Sequence, residues 1–232
     1  MNLTSIGTFY GTDKVVQGFT DVYDPRLEPV RLAVRRVLEV GVFFGASLRM
    51  WRDYFPNARV VGLDTFSGVD GWTNVWGDGQ RATFPDADRF LREWRRGLHP
   101  RIQLLVGNQS DEHSMRDVVL GLQGSPLFDI IIEDGSHLNR DQQTNLVQLL
   151  PLLVPGGLYI LEDLHCSMQS GFDDPRGSYH TTLRALQRFN RTREMRSRHL
   201  SRDQSSAIGA WVKSVEIITT SQHKTTSFIT KR

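Results

Sequence analysis

The stretch from Val37 to Thr65 constrains the fold more than any other part of the chain. It begins with the run Val-Leu-Glu-Val, which is typical of a strand buried on both faces. Gly41 and Gly45 then bracket a tight turn in which the backbone must approach another group closely. Residues 47–54 have the apolar spacing of a helix, and a second apolar strand occupies residues 59–64. Strand, glycine turn, helix and strand together predict one half of a nucleotide-binding α/β sheet.

Acidic residues near this turn indicate what kind of ligand it would take. Asp64 ends the second strand and is placed to accept hydrogen bonds from ribose hydroxyls. Glu39 lies two residues before the first glycine and suits a cationic ligand. Phe43 occupies the middle position of the dinucleotide pattern G-x-G-x-x-G, where a bulky side chain argues against a pyrophosphate. S-adenosylmethionine (SAM) has a sulfonium, an ammonium and a ribose, so the pattern favours a SAM site; a plain βαβ unit with a structural turn is the alternative.

Composition limits the class of protein. The 232 residues suffice for one α/β domain, and 39% hydrophobic and 23% charged residues are ordinary for a globular chain. We find no run long enough to span a bilayer and no signal peptide, and a single cysteine excludes an internal disulfide, so a cytoplasmic location is expected. A net charge of +2 is too small to indicate nucleic acid binding.

One segment departs from this charge balance. Residues 184–202 contain seven arginines and one acid, Glu194. The segment is interpreted as a solvated helix face, with a contact for an anionic substrate or a second subunit as the alternative.

The remaining pattern predicts a single domain over residues 1–232. Residues 1–36 are a polar lead-in, in which Gly11–Lys14 form either a plain capped turn or a turn whose Thr12, Asp13 and Lys14 close over a cofactor carboxylate. Residues 66–85 are predicted to be a lid facing the substrate, with a buried surface loop as the alternative. Further helices are expected at residues 23–36, 86–98, after 111, 142–153, 178–190 and 202–211. Further strands are expected at residues 102–106, 128–133 and 158–161, with a sharp turn at 155–157 and an edge hairpin at 215–220 and 225–230.

Two of these strands end in unusually acidic sequences. The strand at 128–133 ends in Glu133 and Asp134, and the strand at 158–161 is followed by Glu162 and Asp163. Parallel strands place their carboxyl ends at one edge of a sheet, and carboxylates that converge there are costly without a cation. Mg²⁺ prefers such oxygen ligands. The sequence therefore predicts a metal site of Asp134, Glu162 and Asp163, although each carboxylate alone has a structural alternative: a cap, a bond to backbone amides or an arginine pair.

Two histidines follow the acidic strand ends. His137 lies three residues past Asp134, and a histidine there could accept a proton from a hydroxyl made acidic by the metal. Its alternative role is to orient the loop. His165 is the second candidate base. Cys166 is expected to be a half-buried side chain and not a nucleophile. Gln109, after the strand at 102–106, is placed to read an adenine, and Asp111 is placed to do so as well; the neighbouring Ser110 suits a helix cap equally well.

Six motifs in combination resemble a known family. They are the 37–45 turn, Ser47-Leu-Arg-Met-Trp51, Gly107-Asn-Gln-Ser-Asp111, Ile132-Glu-Asp-Gly-Ser-His137, Pro155-Gly-Gly157 and Leu161-Glu-Asp-Leu-His165. Together they are similar to metal-dependent sugar O-methyltransferases of natural-product pathways, the mycinamicin and rhamnosyl-polyketide type, and Gly11-Thr-Asp-Lys14 is similar to the N-terminal signature of that group. The resemblance covers residues 7–165; residues 184–202 and 215–232 match no pattern of the family.

The resemblance implies a Rossmann-like class I methyltransferase sheet, mostly parallel, closed by a C-terminal antiparallel hairpin. It implies SAM as methyl donor, Mg²⁺ at Asp134, Glu162 and Asp163, and His137 as base, with Asp134 as the second catalytic residue. The expected cofactor contacts are Glu39, Gly41, Gly45, Ser47, Asp64, Thr65, Gln109 and Asp134. The acceptor is expected to be a hydroxyl of a glycoside or polyol, with no nucleic acid or membrane partner, and with a homo-oligomer as one expected state. The competing predictions are an NAD-dependent oxidoreductase and a non-enzymatic Rossmann-like binding module that uses residues 184–202.

Overall fold

Seven strands form one mixed sheet in the computed structural model, which describes residues 1–66, 96–97, 99–169, 171–175 and 178–232. The strands are β1 (Arg36–Val40), β2 (Arg59–Asp64), β3 (Ile102–Val106), β4 (Phe128–Glu133), β5 (Leu153–Leu161), β6 (Val212–Thr219) and β7 (Thr225–Lys231). Their order is β3-β2-β1-β4-β5-β7-β6. Strands β1 to β5 pair in parallel, and β7 runs antiparallel to both β5 and β6. This topology confirms the predicted Rossmann-like sheet with its C-terminal hairpin.

Helices cover both faces of the sheet. Those described are α1 (Leu3–Tyr10), α2 (Asp13–Val16), α3 (Phe19–Leu27), α4 (Ala46–Tyr54), α5 (Glu112–Leu122), α6 (Asn139–Leu149), α7 (Thr182–Thr192) and α8 (Arg202–Trp211), with short 3₁₀ turns at Glu28–Val30, Leu150–Leu152 and Leu164–Met168. Neighbouring side chains of β1 point to opposite faces, as strand geometry requires. Val37 packs in the cluster formed with α1, α3 and α4, whereas Leu38 packs in the cluster formed with α5, α6, α7 and α8.

The N-terminal region differs from its prediction. The helix expected at residues 23–36 is wrong, because α3 ends at Leu27 and a 3₁₀ turn containing Pro29 follows. Proline cannot continue the helical hydrogen bonding and restricts the residue before it. The description of residues 1–36 as a polar lead-in is also wrong, because Leu3, Phe19 and Tyr23 have no exposed surface and pack in the core.

The starts of three elements on the β4–β5 side also differ from their predictions. Helix α6 begins at Asn139, three residues before the predicted start, because the Asp173 carboxylate accepts hydrogen bonds from the amides of Asn139 and Arg140 at 2.9 and 2.8 Å. Strand β5 begins at Leu153 and runs through the predicted 155–157 turn, where its register against β4 shifts. The helix predicted at residues 178–190 begins later, at Thr182, with Thr181 as its N-cap.

Two predictions fall mostly outside the described residues. The lid at residues 66–85 lies there apart from Phe66, and so does the helix at 86–98 apart from residues 96 and 97. Within the described part of the chain, no helix combines the length and the apolar character needed to cross a bilayer.

Candidate functional site

The glycine turn after β1 packs directly against the backbone at the end of β4. Gly41 has a φ of +91°, and a Cβ at this position would lie 2.0 Å from the carbonyl oxygen of Asp134. The amide of Asp134 in turn donates to the carbonyl of Val40 at 2.8 Å. The close approach predicted from the glycine is therefore made to the end of β4. As a result, the turn and the residue that begins the acidic loop are fixed relative to each other.

Asp64 lies at the carboxyl end of β2 and holds this turn in place. One of its carboxylate oxygens accepts from the amides of Val42 and Phe43 at 2.7 and 3.2 Å. The other accepts from the Phe66 amide at 3.0 Å and from the Thr65 hydroxyl at 3.3 Å. A carboxylate has about four lone-pair sites, so ribose hydroxyls would have to replace one of these bonds.

Glu39 is buried with its carboxylate directed at α4. It accepts hydrogen bonds from the Ser47 hydroxyl at 2.7 Å and from the Trp51 indole at 3.1 Å. Burial raises the pKa of Glu39, and the nearby Lys14 ammonium acts against this rise. Two of the predicted cofactor contacts, Glu39 and Ser47, thus bind each other in this structure.

Gln109 connects the end of β3 to the loop after β4. Its amide nitrogen donates to Glu133 at 3.1 Å and to the Ser136 hydroxyl at 3.0 Å, and its carbonyl accepts from the Ser136 amide at 3.0 Å. The α5 cap is Asp111, whose carboxylate accepts from the amides of His113 and Ser114. Ser110 therefore does not cap this helix. Gln109 lies at the carboxyl end of the sheet, where the contact with an adenine was predicted.

A lysine lies among the predicted metal ligands. The ammonium of Lys14, on α2, is 2.5 Å from Asp134, 2.8 Å from Glu162 and 3.5 Å from Glu39. Only 1% of the Lys14 side chain is exposed. Three neighbouring strands, β1, β4 and β5, each bring one carboxylate to this ammonium, since the carboxyl ends of parallel strands meet at one edge.

Opposite charges explain how these groups remain buried. Burial alone would lower the pKa of Lys14, but Asp134, Glu162 and Glu39 raise it well above its usual range. Burial and the nearby Asp134 raise the pKa of Glu162, while Lys14 acts against that rise. The lysine is therefore charged at neutral pH and balances part of the carboxylate charge.

A second set of groups at the same edge could hold a cation. Asp134, His137 and Asp163 can bring one ligand atom each within 4.8 Å of one another. The His137 Nε2 lies 3.4 Å from Asp163, whereas its buried Nδ1 and one Asp163 oxygen have no hydrogen-bond partner among the described residues. Oxygen and imidazole ligands of this kind suit Mg²⁺ or another divalent cation, so the residues present fit a metal. The geometry also brings His137 within ligand distance of the carboxylates, although the sequence predicted it only as a base.

His165 and Cys166 lie on the other side of Asp163. The His165 Nδ1 is 3.5 Å from Asp163, and its Nε2 is 3.1 Å from the Lys224 ammonium. Burial, together with Lys224 and His137, lowers the pKa of His165 to about 4. Burial raises the pKa of the Cys166 thiol to about 12. The thiol is therefore not activated, as the sequence predicted.

The arginine-rich segment, residues 184–202, makes structural contacts with the loop after β5 and with the start of β6. Arg198 and His199 bind the buried carboxylate of Asp174 at 3.0 and 2.6 Å. Arg193 donates to the carbonyl of Val212 at 2.5 Å. The exposed remainder is the solvated face predicted from the sequence, and part of the positive charge anchors the loop after β5.

The family of the chain follows from comparison with known proteins. A family described as a methyltransferase domain matches residues 38–164, more than half of the chain. The chain therefore belongs to this family of methyltransferase domains.

Curated relatives of the chain are O-methyltransferases. L-olivosyl-oleandolide 3-O-methyltransferase of Streptomyces antibioticus is 34% identical over 178 residues, which cover 73% of this chain and 39% of the relative. Mycinamicin VI 2''-O-methyltransferase of Micromonospora griseorubida is 31% identical over 199 residues, which cover 80% of this chain and 42% of the relative. The chain thus spans about two fifths of the length of these curated relatives. They confirm the predicted resemblance to sugar O-methyltransferases of natural-product pathways.

A solved structure agrees with the fold. The MycE methyltransferase of the mycinamycin biosynthetic pathway, in complex with Mg, SAH and mycinamycin VI, matches with a TM-score of 0.71 and 25% identity. The match covers 100% of this chain and 54% of that one.

Sequence reasoning missed the position of Lys14. It treated this residue as part of a plain capped turn or of a turn that closes over a cofactor carboxylate, whereas the ammonium binds carboxylates of the protein. The signal available was charge: several buried acids were predicted at one sheet edge, and such a group requires a cation. Nothing local in the sequence indicates which lysine supplies it, because Lys14 and Asp134 are 120 positions apart.

Proposed function

We propose that this chain is the catalytic part of a SAM- and Mg²⁺-dependent O-methyltransferase that acts on a hydroxyl of a sugar or polyhydroxylated group in a secondary metabolite. The observation that carries the proposal is the convergence of Asp134, Asp163 and His137 at the edge of the sheet where the glycine turn also lies. Ligands of open α/β sheets bind at this edge. Membership of the methyltransferase family argues against the NAD-dependent alternative.

Three carboxylates would hold the metal. Asp134 directly follows β4, Glu162 and Asp163 directly follow β5, and each has one oxygen close to Lys14 or a histidine. A bound Mg²⁺ would supply Lewis-acid polarisation, which lowers the pKa of an acceptor hydroxyl. The MycE complex contains Mg, which supports the same metal here.

His137 would remove the hydroxyl proton. The His137 Nε2 lies 3.4 Å from Asp163, and this contact would orient the ring for proton transfer. The chain must also hold the acceptor oxygen in line with the sulfonium methyl, because correct placement supplies much of the rate in group transfer.

SAM would bind over the glycine turn between β1 and β2. Asp64 lies at the rim for the ribose, and Gln109 lies at the end of β3 for the adenine. Gly41, Gly45 and Thr65 would contact the cofactor beside them, and Asp134 would lie between the cofactor and the metal. The MycE complexes with SAH support this cofactor.

A sugar hydroxyl is the proposed acceptor, because the names of the relatives describe O-methyltransferases that act on sugars of macrolides and tetracenomycins. Two neighbouring hydroxyls of a polyol could both bind a metal held by the carboxylates, so this site suits a polyol acceptor. A cytoplasmic location, the absence of a nucleic acid partner and a homo-oligomeric state remain predictions.

Methyl transfer from SAM to a panel of glycosylated pathway metabolites tests the proposal. Turnover should require Mg²⁺, be lost on exhaustive chelation and return when Mg²⁺ is added back. SAM or its demethylated product should raise the melting temperature, whereas NAD should leave it unchanged. Full turnover after exhaustive chelation would remove the metal assignment of Asp134, Glu162 and Asp163 together.

A further inference from the structure

An internal cation already lies where the metal ligands converge. Lys14 donates to one oxygen of Asp134 and to one oxygen of Glu162. Its position is set by α2, whose N-cap Thr12 accepts from the Lys14 amide at 3.4 Å. At the other end of α2, the carbonyl of the C-cap residue Gln17 accepts a hydrogen bond from the Thr220 hydroxyl at 2.9 Å, near the turn between β6 and β7. The short helix is thus anchored on both sides, and its lysine enters the site from a fixed direction.

The charges around this ammonium are unbalanced. Glu39, Asp134, Glu162 and Asp163 bring four carboxylates to one sheet edge. Among the ion pairs of the described residues, Glu39 and Glu162 are paired with Lys14 alone. Both glutamates are almost completely buried, and a buried carboxylate without a counter-charge is strongly unfavourable. Lys14 therefore offsets the energetic cost of burying these two carboxylates, which water does not solvate.

We infer that Lys14 is the resident counter-ion of the proposed metal site: it binds one oxygen of Asp134 and one of Glu162, and it keeps these carboxylates together when no divalent cation is bound. The inference rests on the proposed function, of which the metal site is part. Lys14 is a positioning residue in this scheme, since it acts on the reaction only through the carboxylates.

One consequence separates this role from ordinary structural support. If Lys14 and the metal neutralise the same carboxylates, the metal must add less stability when Lys14 is present than when it is absent. A lysine that merely filled space would leave the metal effect unchanged after its removal. Substitution by methionine preserves the apolar stem and removes the charge.

The experiment compares thermal unfolding of wild type and Lys14→Met in a chelator, in Mg²⁺ and in Mn²⁺, with Mn²⁺ affinity measured by electron paramagnetic resonance. We expect the chelated variant to melt lower than wild type and its metal-induced rise in melting temperature to be at least about twice as large, because a unit charge a few ångströms away repels the metal. Mn²⁺ should bind roughly tenfold or more tightly to the variant for the same reason.

Lys231→Met is the matched control. The Lys231 ammonium donates to the carbonyls of Pro151 and Leu153 at 3.1 and 2.6 Å, at the start of β5 and therefore at the other end of that strand from Glu162. Its removal should leave the metal-induced shift close to that of wild type. Should Lys14→Met fail to fold, Lys14→Met combined with Glu39→Gln removes one of the stranded charges and should still show the enlarged metal response.

The outcomes are distinct. A metal response in wild type that is no larger in either Lys14 variant overturns the inference and leaves the proposed function standing. A response in the variants with none in wild type supports Lys14 as the site's cation and removes Mg²⁺ from the proposed function. Absence of any metal response in all proteins overturns the inference.

Discussion

At the scale of single residues, carboxylates in equivalent positions at strand ends have different partners. Asp64 binds backbone amides of the glycine turn, Glu39 binds side chains of α4, and Glu162 binds the Lys14 ammonium. Asp163 lies between two histidines. The hydrogen bonds from backbone amides give Asp64 a structural role in the turn besides the proposed contact with the ribose, whereas Asp163 faces only histidines among its ion pairs in the described residues.

For Asp64, we predict that Asp64→Ala weakens SAM binding by roughly 1–3 kcal/mol, because buried ribose hydroxyls lose their acceptor. Calorimetric titration with SAM measures the change. Asp129→Ala is the matched control. Its carboxylate likewise accepts hydrogen bonds from two backbone amides, those of Arg35 and Arg36, but it lies at the amino end of β4, at the opposite edge of the sheet from Asp64. That variant should lose stability and keep its SAM affinity. Equal SAM affinity in wild type and Asp64→Ala would exclude Asp64 from the cofactor site.

For His137, we predict that His137→Ala lowers turnover by roughly 10²- to 10⁴-fold, the range typical of general-base removal. Mn²⁺ affinity should change little if the residue is a base and fall clearly if it is a ligand, because a ligand's loss acts on metal binding directly. Rates and Mn²⁺ binding are measured on the same preparation.

His165→Ala is the comparison for that experiment. Burial, Lys224 and His137 lower the pKa of His165 to about 4, so a rate controlled by His165 would fall only as pH approaches that value. An acidic limb near pH 4 that disappears in His165→Ala would assign the base to His165 instead.

At the scale of elements, the local patterns were sufficient where each element is stabilised by its own apolar residues. The strands at 59–64, 102–106 and 128–133 and the helix at 202–211 were predicted with their observed bounds. Some of the remaining details depend on distant partners. The start of α6 is set by Asp173, and the close approach predicted at Gly41 is made to Asp134, a partner that the sequence did not identify. The site shows the same division: the acids could be predicted from strand ends, but Lys14 could not.

For the turn between β1 and α4, we predict that Gly41→Ala destabilises the fold more than Gly156→Ala. Both glycines have positive φ, +91° and +78°, which costs an alanine roughly 1–2 kcal/mol. At Gly41 the new Cβ also meets the Asp134 carbonyl, whereas nothing lies within 4 Å at Gly156. This crowding adds roughly 1–3 kcal/mol. Urea unfolding of both variants measures the difference, and equal losses would contradict the close approach.

At the scale of the whole molecule, the N-terminal helices and the sheet form one unit. Tyr23 of α3 packs against Trp51 of α4 and Phe228 of β7. Lys14 joins the same N-terminal region to β1, β4 and β5. The region predicted as a lead-in therefore contributes both core and charge to the site, so its stability and that of the site are coupled through these contacts.

The buried acid Glu133 makes a global prediction about pH. Burial raises its pKa to about 8, against the lowering effect of the hydrogen bond from Gln109. The unfolded chain releases this proton near pH 4.3. Between those values the folded state holds a proton that the unfolded state has lost, so the free energy of unfolding falls as pH rises, by about 1.4 kcal/mol per pH unit from this group.

Glu133→Gln removes that term, because the neutral amide can still accept from Gln109 and cannot ionise. Denaturant midpoints of the chelated protein from pH 5 to pH 8 should therefore fall less steeply in the variant, with a difference on the order of a few kcal/mol toward pH 8. Glu112→Gln, in the exposed first turn of α5, is the control and should run parallel to wild type. If the Glu133→Gln curve is also parallel to wild type, Glu133 is ionised in the folded protein and the carboxylate cluster holds one more charge than proposed.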